Sequence, residues 1–224
     1  MTKRIKLSDR VLPDYTVGEE MMNMVTHIVG GAFGIIALAL CLNKAVFRGD
    51  GYDLSGAIIY GVSMIGLYTM SSVYHGLKPG MGKKVMQVLD HCTIYFLIAG
   101  TYSIIALCAL REISPALGWG IFAFEWLLTA AATTLTAIDL KKYSVFSMIC
   151  YIGMGWAIIP FWRQVLEVLG GWGFGLLLWG GIAYTIGSVL YGLGKRKKWM
   201  HSVFHIFVVL GSLLQFLSVL LYAL

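Results

Sequence analysis

The sequence predicts an all-α integral membrane protein: a seven-transmembrane helix bundle with its N-terminus cytoplasmic and its C-terminus outside. Three observations carry this. First, the 224 residues are 58% hydrophobic and only 12% charged, with a mean hydropathy of +0.79. A soluble domain carries about twice that charge fraction, and a soluble core of this length could not hide so much apolar surface, so a bilayer must be the solvent. Second, seven stretches are long and apolar enough to span it. Third, the basic residues alternate in density from one connection to the next, as bilayer topology demands.

The elements follow in order. Residues 1–24 form a polar, charged N-terminal segment, read as cytoplasmic. No apolar stretch directly follows its first basic residues, so it lacks the form of a cleavable signal peptide. Residues 25–224 form the membrane domain, with spans near 25–46, 54–77, 87–110, 116–138, 145–162, 173–193 and 200–223. The breaks "FRGDGYD", "KPGMGKK", "REISP", "DLKKY", "RQVLEVLGG" and "GKRKK" combine charge with Gly, Pro or polar residues. Gly153, Gly155 and Pro160 interrupt the fifth span. Counting Lys and Arg places 13 on the side of the N-terminus and four (Lys44, Arg48, Arg111 and Arg163) on the other. The excess marks the cytoplasmic side. It also explains the net charge of +6 without nucleic acid, because the charges sit in short connections between spans. Cys41, Cys92, Cys108 and Cys150 all lie in apolar stretches, with no disulfide-framework spacing, and read as small packing residues. Glycine clusters such as "VGGAFG" and "WGFGLLLWGG" read as close helix packing. No internal repeat is visible.

The polar residues then fall in one place. His27 opens span 1, Ser71 and His75 close span 2, Asp90 and His91 open span 3, and His201 and His205 open span 7. On this topology all five histidines lie at the cytoplasmic end. Ser71 and His75 are spaced i, i+4, as are His201 and His205; Glu20, Asn23 and His27 share a face if helical. Two histidines at i, i+4 can chelate one zinc ion. His75 is the best third ligand, which makes a three-histidine site with room for water. Asp90, at similar depth, could orient or deprotonate that water. Glu20 or Asn23 is expected to accept a histidine N–H, with His27 beside them as a neighbour or fourth ligand. His91 points about 100° from Asp90 and reads as interfacial. Glu125 falls in the outer half of span 4 and has no assigned role.

The stretches "EEMMNMVTH", "SSVYHGL", "VLDHCTIYFLIAGTY" and "HSVFH" together resemble the hemolysin III family, the bacterial branch of the progestin and adipoQ receptor group. Each motif is common by chance; their order, and the E-x2-N-x3-H opening, make the combination specific. The resemblance runs from about Glu19 to the C-terminus. It implies seven spans, a zinc site of His75, His201 and His205 with Ser71 and Asp90 beside the metal, and location in a bacterial inner membrane. It also implies kinship with membrane ceramidases. Where the family pattern has Thr-Pro after "AGTY", this chain has Ser103-Ile104, so the proline that would kink span 3 is missing.

Two classes of function follow. One is a zinc-dependent hydrolase of a lipid amide or ester reached from the bilayer, with Asp90 handling the proton and Ser71 bonding near the metal or the oxyanion. The other is a non-enzymatic receptor-like or membrane-homeostasis protein with structural zinc. A transporter fits less well, because charges deep in the spans are scarce. A pore-forming toxin fits worst, since nothing is amphipathic enough to be soluble first.

Overall fold

Polar and small residues, not apolar ones, mark the inward face of the first long helix. In α1 (Val17–Arg48) the buried positions are Glu19, Asn23, His27, Gly30, Gly34, Ala37, Cys41 and Ala45, while Val25, Ile28, Val29, Ile35, Ile36 and Leu40 are exposed. This is the pattern of a helix solvated by lipid, where large aliphatic side chains face out and small ones allow close packing.

The computed structural model describes residues 5–194 and 197–224, and all regular structure in them is helical. Lys3, Arg4, Lys195 and Arg196, four of the basic residues counted above, lie outside the described residues. After a 3-10 turn at Leu7–Asp9 come α1, α2 (Gly51–Gly76) and α3 (Met81–Ile104). α3 runs on through a π-helical stretch, Ile105–Leu110, to a last turn, Arg111–Ile113. Then come α4 (Pro115–Ile138), α5 (Ser144–Gly155), a 3-10 turn (Ile159–Phe161), α6 (Trp162–Gly194) and α7 (Met200–Ser218), which ends in a π-helical turn, Val219–Ala223. Among the described residues, six segments are long and apolar enough to cross a membrane. One of them, Ser144–Gly194, has 51 residues, or about 75 Å if straight at 1.5 Å per residue, far more than a hydrocarbon core of about 30 Å needs. It is broken after Gly155 and again at Gly170, whose φ of 64° suits glycine.

Local chemistry explains the ends. The Thr16 hydroxyl accepts from Glu19 N–H at 3.3 Å, and Glu19 Oε2 accepts from Thr16 N–H at 2.9 Å. This capping box starts α1 at Val17, ahead of the apolar run. Asp50 and Asp53 form the same box for α2. Ser114 caps α4, with Pro115 at its first position. The missing proline of span 3 does not leave it regular: the π-helical stretch distorts it directly after Ser103-Ile104.

The helices pack in a chain, α1 on α2, α2 on α3, α3 on α4 and α6 on α7, and α7 returns to α1. The end of α3 threads the centre, with residues 99–110 all buried. α5 packs on α3 and α4 but barely on α6. The gap between α3, α5, α6 and α7 is a cavity of about 870 Å³.

Candidate metal centre

The last turn of α2 brings His75 against His201 and His205, one turn apart at the start of α7. The three are 3%, 7% and 1% exposed. Each offers a ring nitrogen, and those atoms all lie within 4.8 Å of one another. His201 Nε2 and His205 Nε2 are 3.1 Å apart, close to the roughly 3.3 Å that two nitrogens keep on a tetrahedral zinc.

Glu20 fixes the chemistry of His75. His75 Nδ1 lies 2.6 Å from Glu20 Oε2. A carboxylate only accepts, so the ring donates from Nδ1 and keeps its lone pair on Nε2. Nε2 is buried and has no partner among the described residues. Three converging imidazoles, one with an idle lone pair set by a carboxylate, fit a metal ion and its usual outer shell. Glu20 is held in turn: its Oε1 is 2.7 Å from Lys83 Nζ, and Lys83 also donates to Leu77 O at 3.0 Å. Asn23 turns its Nδ2, a donor, toward the same His75 nitrogen at 3.4 Å, so of the two acceptors the sequence offers, only Glu20 places an accepting oxygen there.

His27 lies against the cluster, its ring centroid 3.9 Å from that of His205, and neither of its nitrogens has a partner among the described residues. It is not one of the three residues whose ligand atoms converge. Tyr15 covers the other side, stacked on His201 at 4.9 Å. Burial, and then the neighbouring Tyr191, Glu20, Asp90 and Glu19, push the Tyr15 phenol above its ordinary pKa, so it stays neutral. Glu19 Oε1 accepts from Trp199 N–H at 2.6 Å, which ties the start of α1 to the start of α7.

Ser71, Asp90, His27, His201 and His205 all line the large cavity. From them it extends along Ile94, Leu97, Ile105, Leu177 and Val208. Val145, Ile149 and Val189 border it and are also exposed on the surface, so the cavity meets the lipid-facing side between α5 and α6. His91 stands apart from the three: its Nδ1 bonds Gln87 O at 2.8 Å and its Nε2 is 3.3 Å from Tyr191 Oη. Glu125 is fully buried in α4, with neither carboxyl oxygen partnered among the described residues. Asp139 ends α4 by accepting from Lys141 N and Lys142 N. Lys83, Tyr15 and Arg10 were not singled out by the sequence.

The family model described as "Haemolysin-III related" matches residues 15–216. The chain is 37% identical over 208 residues to "Hemolysin-3" of Bacillus cereus, covering 93% of this chain and 93% of that one. It is 33% identical over 208 residues to "Hemolysin-3 homolog" of Bacillus subtilis (strain 168), covering 93% and 96%. More distantly, it is 26% identical over 226 residues to "Monocyte to macrophage differentiation factor" of Homo sapiens, covering 98% and 90%.

Proposed function

The chain belongs to the haemolysin-III-related family of multi-pass membrane proteins, and from that footing we propose that it is a zinc-dependent intramembrane hydrolase of a lipid amide or ester. The observation that carries this reading is the shared cavity: His201 and His205, two members of a three-histidine cluster able to hold a metal, line an apolar space of about 870 Å³ that reaches the surface between α5 and α6. In the proposed topology, Ser144–Gly194 crosses twice, which gives seven crossings. The N-terminus and the histidines then lie on the cytoplasmic side of a bacterial inner membrane, and the C-terminus lies outside.

Zinc held by His75, His201 and His205 would supply Lewis acidity and a water acidified to a pKa near 7. The protein does the rest. Glu20 orients His75 through its Nδ1–H. Asp90 accepts the proton of the attacking water and returns it to the leaving amine or alcohol. Ser71 donates a hydrogen bond near the developing oxyanion. The apolar wall holds the acyl chain and keeps bulk water away.

The experiment couples elemental analysis with turnover of lipid amides and esters by purified protein. About one zinc per chain is expected. His75→Ala should lose metal and activity together. Asp90→Asn should keep metal and lose about 10²-fold or more in rate. Undiminished metal in the His201→Ala, His205→Ala double variant would overturn the ligand set, and an Asp90→Asn protein as fast as its parent would overturn the base. One contact favours a second reading, a closed structural site: the ring of His27 beside His205. X-ray absorption on the zinc-loaded protein separates the two, since three nitrogens plus an oxygen mark the hydrolase and four nitrogens mark the structural site.

A further inference from the structure

The first described residues run as a strap across the N-terminal end of the bundle. Ile5 N–H donates to Asp139 Oδ2 at 3.0 Å, and Lys84 Nζ donates to Ser8 O. The strap carries Arg10 inward. Arg10 is 8% exposed and lines the large cavity at its end between the strap and the α4–α5 connection, in company with Lys141 and Ser144. It also borders a smaller cleft beside Val85, Leu89 and Ala137. Among the described residues, neither Nε nor Nη1 of Arg10 has an acceptor. A buried guanidinium presents five N–H donors and stays charged, so leaving buried donors unpaired is costly unless an anion meets them.

The carboxylates nearby do not meet these donors. Asp139 senses the charge of Arg10, but its oxygens already accept from Ile5, Lys141 and Lys142 N–H. Asp9, on the strap, is exposed and takes the Ser8 hydroxyl at 2.8 Å. Depth names the missing partner. Arg10 stands level with the end of α4 and the start of α5, where apolar helix gives way to the polar connection and lipid headgroups lie. Below it the cavity wall is apolar.

We propose that Arg10 seats the phosphate of a bilayer lipid whose acyl chain lies in the cavity. The inference rests on the reading of this cavity as a lipid site and narrows that reading to lipids with an anionic head. It does not depend on hydrolysis. Arginine suits the role because its planar fork meets two phosphate oxygens at once. Lys141 adds charge at the rim.

Binding to the full-length, chelator-treated protein in neutral maltoside micelles tests this without any turnover. The probes are dodecyl phosphate, sodium dodecanoate and inorganic phosphate, titrated calorimetrically. Dodecyl phosphate should bind at least about tenfold more tightly than inorganic phosphate, and Arg10→Gln should weaken it about tenfold or more, the scale of a lost charged hydrogen bond. Lys78→Gln removes an equal charge from an exposed loop and should leave the affinity unchanged. If Arg10→Gln detaches the strap, seen as fast hydrogen exchange at Ile5, Arg10→Lys asks the same question with the charge kept and the fork lost; a several-fold loss is expected. Unchanged affinity in both variants would overturn the seat. Inorganic phosphate binding as tightly as dodecyl phosphate would overturn the lipid, and dodecanoate binding as tightly would overturn the phosphate head. Failure of the hydrolase reading appears instead as a zinc-loaded protein that binds dodecyl phosphate and turns over no lipid.

Discussion

Glu20 shows how a single side chain sets the character of this cluster. By taking the Nδ1 hydrogen of His75 at 2.6 Å, it leaves Nε2 as the only lone pair the ring can offer a metal. Glu20→Gln keeps the shape and can still accept through its amide oxygen, but it loses the charge that makes the imidazole a better donor. Zinc affinity should fall about 10- to 100-fold, as for other outer-shell partners, with the helical circular dichroism unchanged; competition against a chromophoric chelator measures it, and an unaltered affinity would show that Glu20 serves only Lys83. The convergence of the three histidines was legible in the sequence, because i, i+4 spacing and span ends place them from one dimension alone; for the carboxylate the sequence offered only a choice between Glu20 and Asn23. Lys83 and Arg10 were not. Both count as ordinary positive-inside residues until the tertiary packing buries them, Lys83 on Glu20 and Arg10 beneath the strap.

At the scale of elements, helix existence was legible and helix ends less so. The first apolar run begins at residue 25, yet α1 starts at Val17, because a capping box and the contacts of Glu19, Glu20 and Asn23 stabilise a polar first turn that hydropathy alone does not register. The π-helical stretch at Ile105–Leu110 had no signal in the sequence, and the missing proline pointed the other way. It is wedged against α4 at Gly118: a Cβ there would lie 2.6 Å from Ala106 O and 2.8 Å from Arg111 N, both backbone atoms. Neither can rotate away, so Gly118→Ala should cost about 1–3 kcal/mol by overpacking, read as a lowered thermal midpoint, whereas Gly120→Ala, with open space around it, should not. The strap makes a pH prediction. Backbone N–H groups of Lys142, Ile5 and Lys141, joined by the charge of Arg10, hold the Asp139 carboxyl below its ordinary pKa of 3.8. A depressed carboxyl contributes its stability above the unfolded value and loses it as pH falls through the lower folded one. The strap should therefore stay docked from neutral pH to about 4 and loosen only below it. Hydrogen exchange at Ile5, corrected for intrinsic rates, checks this, and Asp139→Asn should show the loosened behaviour at neutral pH.

For the whole molecule, the bilayer class and the span-by-span reading came from composition and period, but the arrangement of the spans did not, since one-dimensional hydropathy cannot say that α5 leans away from α6 and opens the cavity. The return of α7 to α1 closes the bundle, and the candidate metal ligands bridge the chain's two ends: His75 comes from α2, and His201 and His205 from α7, 126 residues or more away in sequence. An ion bound by this folded site, and far more weakly by the unfolded chain, adds stability that grows with the logarithm of its concentration, about 2.7 kcal/mol at a hundred times its dissociation constant. Chelation should therefore lower the thermal midpoint, zinc should restore it in a concentration-dependent way, and His205→Ala should start low and ignore both. The geometry also requires the C-terminal end of α2 and the beginnings of α1 and α7 to lie on one side of the membrane. Reporter fusions after Gly76 and at Leu224 should then report opposite sides, cytoplasmic and external. A cytoplasmic Leu224 would mean that α7 does not cross, and the count of seven would fall.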